Sequence, residues 1–267
     1  MNSIPKVIHY CWFGGKPLPP LAERCIASWK KWLPDYEIRR WDESNFDVNA
    51  IEYTRQAYAR GKYAFVSDYA RFWILYNYGG IYFDTDVEVV ASFDDIIERG
   101  PFLGVESDST IIEGIETGAD LPLHCAPGLA MGAEKGMSFY ARMLSLYDSL
   151  RFLYKSGIIN TTTVVTYTSR ELINAGFKPS LGIEAPGNTF QTVAGITIYP
   201  KRYFCPEIHD NKIDILSDTR SIHHYAASWV TPSMRLKGKL SSIISECVPT
   251  SIYSLIRKIY RLILLKK

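Results

Sequence analysis

The sequence contains few cysteines, and the five present form no recognisable pattern. They are odd in number, widely spaced, and include no Cys-x-x-Cys pair. Zinc sites and disulfide frameworks both need cysteines at close or regular spacing. The sequence therefore argues against both kinds of site, and we expect buried free thiols at Cys11, Cys25, Cys125, Cys205 and Cys247.

The chain also lacks an excess of charge of either sign. Its 30 Lys and Arg residues nearly balance 28 Asp and Glu residues, which gives a formal net charge of +2. Proteins that bind nucleic acids present a field of positive charge to the phosphate backbone. We therefore expect no nucleic-acid partner.

Long hydrophobic runs are missing as well. The N-terminus has no basic segment followed by an apolar one, as a secretory signal would. The most apolar stretch, residues 240–265, carries four charged residues, whereas a membrane span needs roughly 18 or more uncharged apolar residues. We therefore expect a cytoplasmic protein whose chain does not span a membrane.

Two common catalytic motifs do not occur in the sequence. There is no G-x-S-x-G, which marks the nucleophile of many serine hydrolases, and no G-x-x-x-x-G-K-[ST] phosphate-binding loop. Both enzyme classes are therefore excluded as interpretations.

What the sequence does contain is a repeated alternation of strand and helix patterns. Strand-like segments at residues 6–13, 36–41 and 81–90 alternate with helical spacing of apolar residues. The predicted helices cover residues 21–33, 50–60, 67–77, 138–153 and 169–175, with a later strand at 196–199. This alternation predicts an α/β fold with a mostly parallel central sheet flanked by helices, and ligands bound beyond the carboxyl ends of the strands.

The remaining segments divide the chain into one domain and a tail. Residues 106–127 show little periodicity and predict a long surface loop. We expect a single domain over residues 1–231, followed by a basic amphipathic helical tail over residues 232–267. The apolar face of that tail predicts packing onto the domain or a dimer partner, or binding to an anionic cytoplasmic membrane surface.

Asp84 and Asp86 are the strongest candidates for chemistry. They are two apart in the predicted strand, so both carboxylates would lie on one face. Apolar residues flank the pair on both sides, and burying two like charges is costly without a cation or an arginine. Such oxygen pairs suit Mg²⁺ or Mn²⁺ carrying a diphosphate, although a solvated acidic turn is the alternative.

A second group precedes this pair in the sequence. Ser67, Asp68 and Arg71 occupy helical positions i, i+1 and i+4, so Asp68 and Arg71 can form an ion pair. Ser67 at the start of the predicted helix is also a plausible N-cap. An N-cap followed by an ordinary salt bridge therefore explains these residues without any function.

The full run AFVSDYARFWILYNYGGIYFDTDVEVV at residues 64–90 resembles the nucleotide-sugar signature of glycosyltransferase family 32. This family includes mannosyltransferases and bacterial capsule transferases. The segments IPKVIHYCWFGG at residues 4–15 and IHHYAASW at residues 222–229 extend the resemblance over nearly the whole predicted domain. It implies a GT-A-like nucleotide-sugar-binding domain.

The resemblance also implies roles for individual residues. Asp84 and Asp86 match the metal pair, with His223, or alternatively His224, as a third ligand of Mn²⁺ or Mg²⁺. Arg71 joins the two aspartates as a candidate catalytic residue, because it could neutralise charge on the departing diphosphate. The candidate donor-binding residues are Trp12, Ser67, Asp68, Arg71, Tyr82, Asp84, Ser228 and Trp229.

Each aromatic or histidine candidate also has an ordinary structural interpretation. Trp12 would stack on the nucleotide base, but core packing is the more common role of a tryptophan. A histidine at position 223 or 224 could equally belong to the core or the surface. We interpret His9 mainly as a structural residue of the first strand.

The resemblance implies a metal-dependent glycosyltransferase. It would move a hexosyl group from a nucleotide sugar, with a UDP-sugar favoured, to a carbohydrate or lipid-linked glycan acceptor, with retention of configuration. Capsular or other surface polysaccharide synthesis is the implied role. The alternatives are a phosphohydrolase that uses Asp84 as its nucleophile, and a catalytically silent sugar-binding protein of the same fold.

Overall fold

A computed structural model describes residues 4–107, 124–178, 184–185, 189–209 and 212–226. The chain divides into two compact units, one of residues 1–153 with 159–225 and one of residues 154–158 with 226–267. Every helix and strand named below belongs to the first unit. The second unit is described only at residues 154–158 and 226, so the predicted tail and its boundary at residue 231 lie outside the described residues.

Seven helices are described in the first unit. They are α1 Pro20–Trp32, α2 Glu52–Tyr58, α3 Tyr63–Tyr78, α4 Asp94–Glu98, α5 Ser138–Ser149, α6 Val164–Asn174 and α7 Lys201–Phe204. None of the described helices is long and apolar enough to cross a membrane.

Fourteen strands, most of them short, are described in the same unit. They are β1 Val7–Cys11, β2 Glu37–Trp41, β3 Gly80–Tyr82, β4 Val87–Val89, β5 Phe102–Ser107, β6 His124–Cys125, β7 Met131–Ala133, β8 Glu184–Ala185, β9 Thr189–Phe190, β10 Thr192–Val193, β11 Ile196–Tyr199, β12 Ile208–His209, β13 Lys212–Ile213 and β14 Ser221–His223.

Eight strands form the central sheet, in the order β10-β11-β5-β7-β3-β1-β2, with β6 paired to β5. The pairs β1 with β2, β1 with β3, and β11 with β5 are parallel, while β7 lies antiparallel between β3 and β5. Strands β1, β2, β3, β5 and β11 therefore run in one direction. The predicted α/β fold with a mostly parallel sheet is confirmed.

Two clusters of buried side chains, on opposite faces of β1, hold this sheet between its helices. Ile8 and Tyr10 belong to the cluster that includes Trp29 of α1, whereas Cys11 belongs to the cluster that includes Val66 of α3. Alternate residues of a strand point to opposite faces, so both faces of β1 are buried. This two-sided burial is what a sheet with helices on both faces requires.

His9 and the described cysteines are structural, as the sequence suggested. The indole N–H of Trp41 donates to Nδ1 of His9 at 3.0 Å, so the other ring nitrogen carries the proton and donates to the Gly79 carbonyl at 3.0 Å. Burial lowers the pKa of His9 to about 4, which keeps the ring neutral. The cysteines at positions 11, 25, 125 and 205 are buried and free, whereas position 247 lies outside the described residues.

Helix α3 begins earlier than the sequence predicted. It starts at Tyr63 rather than Ser67, directly after Gly61 and Lys62. Ser67 lies one turn inside the helix, and its hydroxyl donates to the Tyr63 carbonyl at 3.2 Å. The N-cap interpretation of Ser67 is therefore wrong, because nothing in residues 63–66 interrupts helical spacing.

The predicted strand at residues 81–90 is in fact two strands joined by a turn. Strand β3 ends at Tyr82 and β4 begins at Val87, and the N–H of Val87 donates to the Asp84 carbonyl at 3.1 Å. Aspartate is unfavourable in strands and common in turns, which explains the interruption. The two aspartates therefore do not share a strand face, contrary to the prediction.

Smaller differences affect the later elements. Helix α5 ends at Ser149 instead of residue 153, and α6 begins at Val164, five residues before the prediction. The side chain of Thr163 accepts a hydrogen bond from the backbone of Thr166, which makes it the N-cap that the sequence analysis missed. Most of the predicted surface loop, residues 108–123, lies outside the described residues.

Candidate active site

The candidate site forms where the chain leaves β3. Asp84 and Asp86 lie in the turn between β3 and β4, and β14 pairs antiparallel with β4 so that His223 lies opposite Val87. One ligand atom from each of Asp84, Asp86 and His223 can be chosen so that all three lie within 4.8 Å of one another. These three residues, here called the metal trio, come from distant parts of the sequence.

Burial and the neighbouring charged groups shift the pKa values of His223 and Asp84. Burial alone would lower the pKa of His223, but its hydrogen bond to Asp86 at 3.3 Å and the charges of Asp86, Asp84 and Glu106 raise it overall. Burial raises the pKa of Asp84, and Arg71 only partly offsets this. The negative charge of the two carboxylates is only partly compensated. Together with the imidazole, they form a suitable donor set for a divalent cation.

Arg71 lies beside the metal trio, on helix α3. Its Nη2 is 3.1 Å from Oδ1 of Asp68 and 3.3 Å from Oδ1 of Asp84. Its Nε donates to the Ser67 carbonyl at 3.1 Å, and the guanidinium lies 5.0 Å from the centre of the Tyr82 ring. With only 4% of its surface exposed, Arg71 is a fixed positive charge shared between two carboxyl groups.

Asp68 is the most deeply buried carboxyl group of the site. Burial raises its pKa to about 7, although the charge of Arg71 lowers it and that of Asp84 raises it further. The ion pair between Asp68 and Arg71 predicted from the sequence is thus present. It is buried, unlike the exposed pair that helical spacing alone would suggest.

Tyr82 and Gly128 hold Asp84 in position. The Tyr82 hydroxyl donates to Oδ1 of Asp84 at 3.1 Å, and the backbone N–H of Asp84 donates to the Gly128 carbonyl at 3.1 Å. Together with Arg71, these contacts fix both the backbone and one carboxylate oxygen of Asp84. The other oxygen, Oδ2, faces the Cα atom of Gly128.

Gly128 is a site residue that the sequence analysis missed. A Cβ atom at this position would lie 2.1 Å from Oδ2 of Asp84 and 3.5 Å from Nη1 of Arg71. The only signal in the sequence is the Pro127-Gly128 dipeptide, which is typical of turns. Its proximity to Asp84 could not be inferred from that signal, because the contact is long-range.

We expect Gly128→Ala to weaken divalent-metal binding by more than tenfold, because the new methyl group must displace the Asp84 carboxylate. Isothermal titration with Mn²⁺ measures the effect. Gly136→Ala is the control, since a Cβ there meets no atom within 4 Å and the substitution only strains a residue at φ +80°. Equal Mn²⁺ affinity in the two variants would contradict the expectation.

Trp12 follows β1 at the same edge of the sheet. Its indole Nε1 donates to the Lys16 carbonyl at 2.7 Å, and the ring is partly buried against the cluster that contains Trp29. Because β1 and β3 are parallel neighbours, their carboxyl ends, and therefore Trp12 and Asp84, emerge at one edge. Base stacking by Trp12 stays a prediction.

The two adjacent histidines have different environments. Whereas His223 faces the carboxylates, Nε2 of His224 lies 2.8 Å from Oε2 of Glu88. The backbone N–H of His224 donates to the Asp86 carbonyl at 3.0 Å. His224 therefore supports the turn from outside the metal trio, and the predicted donor-binding residues Ser228 and Trp229 lie outside the described residues.

Comparison with known proteins gives a family match that covers this site. Residues 19–103 match the family described as a glycosyltransferase sugar-binding region containing a DXD motif. The matched residues include α3, β3 and Asp84-Thr85-Asp86, which has the spacing of that motif. The match supports a glycosyltransferase and covers about a third of the chain.

One curated relative also matches part of the chain. Inositol phosphoceramide mannosyltransferase 3 of Schizosaccharomyces pombe is 30% identical over 159 residues, which are 57% of this chain and 39% of the relative. The chain thus matches less than half the length of that relative.

Solved structures of two glycosyltransferases show partial likeness. PaToxG glycosyltransferase is 21% identical, with a TM-score of 0.47 and coverage of 65% of this chain and 70% of that chain. Galactosyltransferase LgtC, solved with donor and acceptor sugar analogs, is 17% identical, with a TM-score of 0.37 and 74% coverage of both chains. Scores this low support no argument about this chain. The α/β fold with a mostly parallel sheet rests on the strand order and direction described above.

Proposed function

We propose that this protein is a metal-dependent glycosyltransferase that moves a sugar from a nucleotide-sugar donor to a carbohydrate acceptor. The observation that carries the proposal is the metal trio, whose two aspartates lie in the matched region and have the spacing of a DXD motif. Oxygen-rich sites of this kind hold a cation against the diphosphate of a nucleotide sugar.

Asp84, Asp86 and His223 would hold a divalent cation. When bound, the cation supplies positive charge that stabilises a diphosphate leaving group. Arg71 adds a second, permanent positive charge behind Asp84, and its contacts with Asp68 and Asp84 keep it from moving. Fixed positive charges stabilise a leaving group effectively, because they do not have to move as negative charge develops on it.

The chemistry of the other candidate residues fits donor binding. A carboxyl group such as that of Asp68 can accept hydrogen bonds from ribose or sugar hydroxyls, and the Trp12 indole offers a broad face to a base. Ser67, Ser228 and Trp229 complete the proposed donor-binding set.

The finer parts of the proposal are membership of family 32, a hexosyl group from a UDP-sugar, and retention of configuration. The name of the mannosyltransferase relative gives a lipid, inositol phosphoceramide, as its acceptor, which is compatible with a lipid-linked acceptor for this chain. Synthesis of capsular or other surface polysaccharide is the proposed context. A peripheral association of the tail with the cytoplasmic membrane face also stays a proposal, and sedimentation with anionic liposomes tests it.

The phosphohydrolase alternative has less support. It requires a threonine at the position of Glu88, whose carboxylate instead lies 2.8 Å from His224. It also requires Asp84 to attack as a nucleophile, yet Tyr82 and Arg71 both contact Oδ1 of that residue.

The deciding experiment incubates the purified chain with UDP- and GDP-sugars, with and without Mn²⁺, and measures nucleotide release. NMR of the glycoside formed on an added acceptor then identifies the anomer. Release that depends on Mn²⁺ and is abolished by EDTA supports the proposal, and an α-linked product from an α-linked donor supports retention. Donor binding without any turnover would favour the catalytically silent alternative.

Trp12→Ala is expected to weaken nucleotide binding by about 1–3 kcal/mol, because one base-stacking contact is lost. Titration of the free nucleoside diphosphate in the presence of Mn²⁺ measures the change. Trp32→Ala is the matched control, since Trp32 is a 36% exposed tryptophan at the end of α1. Unchanged affinity in a folded Trp12→Ala protein would mean that Trp12 serves only packing.

A further inference from the structure

One ring nitrogen of His223, Nδ1, lacks the hydrogen-bond partner that would orient the ring, as far as the described residues show. A metal-binding histidine usually donates its second ring N–H to a carboxylate or a carbonyl, which fixes the orientation of the imidazole. Nδ1 of His223 is buried and has no hydrogen-bond partner among the described residues. The ring must therefore be held by other contacts.

Tyr225 supplies such a contact. Its ring centre lies 4.2 Å from that of His223, and the two ring planes are inclined at 82°. This edge-to-face arrangement is favourable between aromatic rings. This contact restricts rotation of the imidazole ring, and such rotation would turn Nε2 away from Asp86.

The backbone of Tyr225 is in an unusual conformation. Its φ angle is +47°, in the left-handed region that residues with a Cβ atom rarely adopt. Strained conformations of this kind persist when surrounding contacts require them, and they concentrate at functional sites. Tyr225 lies two residues after His223, the last residue of β14, and its ring packs against the ring of that histidine.

The far end of the Tyr225 side chain is also anchored. The hydroxyl lies 2.9 Å from Sγ of Cys205, a buried cysteine that directly follows α7. Half of the Tyr225 residue surface is nevertheless exposed, at 50%. Tyr225 is thus strained and half exposed, and both its ring and its hydroxyl group make contacts. It contributes less to the core than to the placement of His223.

We infer that Tyr225 is a positioning residue that holds the His223 imidazole where Nε2 can join Asp84 and Asp86 around a divalent cation. The inference rests on the metal site of the proposed function. Cys205 contributes to this positioning, because its thiol contacts the hydroxyl group of Tyr225.

The first test compares Mn²⁺ binding by Tyr225→Leu and Tyr225→Phe. We expect the leucine variant to lose about 10- to 100-fold in affinity, the range for residues that orient metal ligands. The phenylalanine variant keeps the ring and is expected to lose only a few-fold. Tyr78→Leu is the matched control, because Tyr78 is 42% exposed and its ring lies 6.4 Å from another imidazole, that of His9.

NMR of the metal-free protein supplies a readout that is independent of metal binding and activity. The ring protons of His223, assigned with a His223→Gln variant, are expected to shift in Tyr225→Leu and to stay in place in Tyr78→Leu. The His9 protons are expected to show the opposite behaviour. This comparison separates loss of a specific ring contact from general destabilisation.

A double-mutant cycle tests the role of Cys205 and remains informative if Tyr225→Leu does not fold. Tyr225→Phe and Cys205→Ala each remove one side of the same contact, so the double variant is expected to bind Mn²⁺ no more weakly than the single variants. Additive losses would overturn the role of the contact.

Two further outcomes are distinguishable. Wild-type Mn²⁺ affinity in Tyr225→Leu would overturn the role of Tyr225 and leave the proposed function standing. Failure of the wild-type protein to bind Mn²⁺ would overturn the metal site itself.

Discussion

Asp84→Asn and Asp86→Asn are each expected to reduce metal-dependent donor turnover by about a thousandfold or more. The amide keeps the shape of the carboxyl group but removes the negative charge that holds the cation. Loss of the cation removes several kcal/mol of charge stabilisation from the leaving group, and each 1.4 kcal/mol is a factor of ten in rate. Nucleotide release measured against Mn²⁺ concentration checks the expectation.

Both variants should remain folded, because burial already penalises the charged form of Asp84 and raises its pKa. Thermal unfolding is the measurement that establishes this. Asp95→Asn is the control variant, since Asp95 also forms an ion pair, with Arg220 at 2.8 Å, but on α4. A folded Asp84→Asn or Asp86→Asn protein with full turnover would remove the metal trio from the mechanism.

Arg71→Met is expected to lower the free energy of unfolding by about 3–5 kcal/mol, the range for breaking a buried ion pair by removing one partner. The substitution fills a similar volume but leaves Asp68 and Asp84 without their shared cation. Urea denaturation followed by tryptophan fluorescence measures the loss. Turnover should fall as well, because Arg71 supplies one of the two positive charges of the proposed mechanism.

A second substitution shows whether uncompensated charge is the cause. Asp68→Asn in the Arg71→Met background removes the more deeply buried of the two carboxylates, so part of the stability is expected to return. Arg71→Lys retains the charge but not the guanidinium that reaches Asp68, Asp84 and the Ser67 carbonyl together, so an intermediate loss is expected. A loss below about 1 kcal/mol in Arg71→Met would show that solvent or an ion already compensates the two carboxylates.

The sequence predicted the layered α/β fold because apolar spacing is a local property of each segment. The sequence also predicted that the carboxylates of Asp84 and Asp86 lie close together, but for a reason that the structure contradicts. A turn, and not a shared strand face, brings them near each other. The apolar residues on both sides concealed that turn. An acidic turn was therefore only the alternative interpretation of the sequence, and the pairing of β3 and β4 with different partners decides in its favour.

Long-range contacts explain what the sequence could not provide. The choice between His223 and His224 depends on the register of β14 against β4, and neighbouring residues of a strand face opposite sides. No pattern in the sequence predicts that Gly128 contacts Asp84 or that Tyr225 contacts Cys205, because both contacts join distant parts of the chain. Helical spacing could not predict that Asp68 is buried, because it specifies neighbours on the helix but not the elements that cover them.

The pairing of β4 with β14 has a consequence for the order in which the protein matures. Asp84 and Asp86 leave the ribosome long before His223, because synthesis proceeds from the N-terminus, so a nascent chain carries the two carboxylates without their third ligand. Contacts between residues so far apart in sequence close large loops, and the entropic cost of loop closure makes such pairing slow. If the proposed metal site is correct, a cation could be bound only when nearly all of the first unit has been synthesised and β14 has paired with β4. Mn²⁺ affinity would then report completed folding.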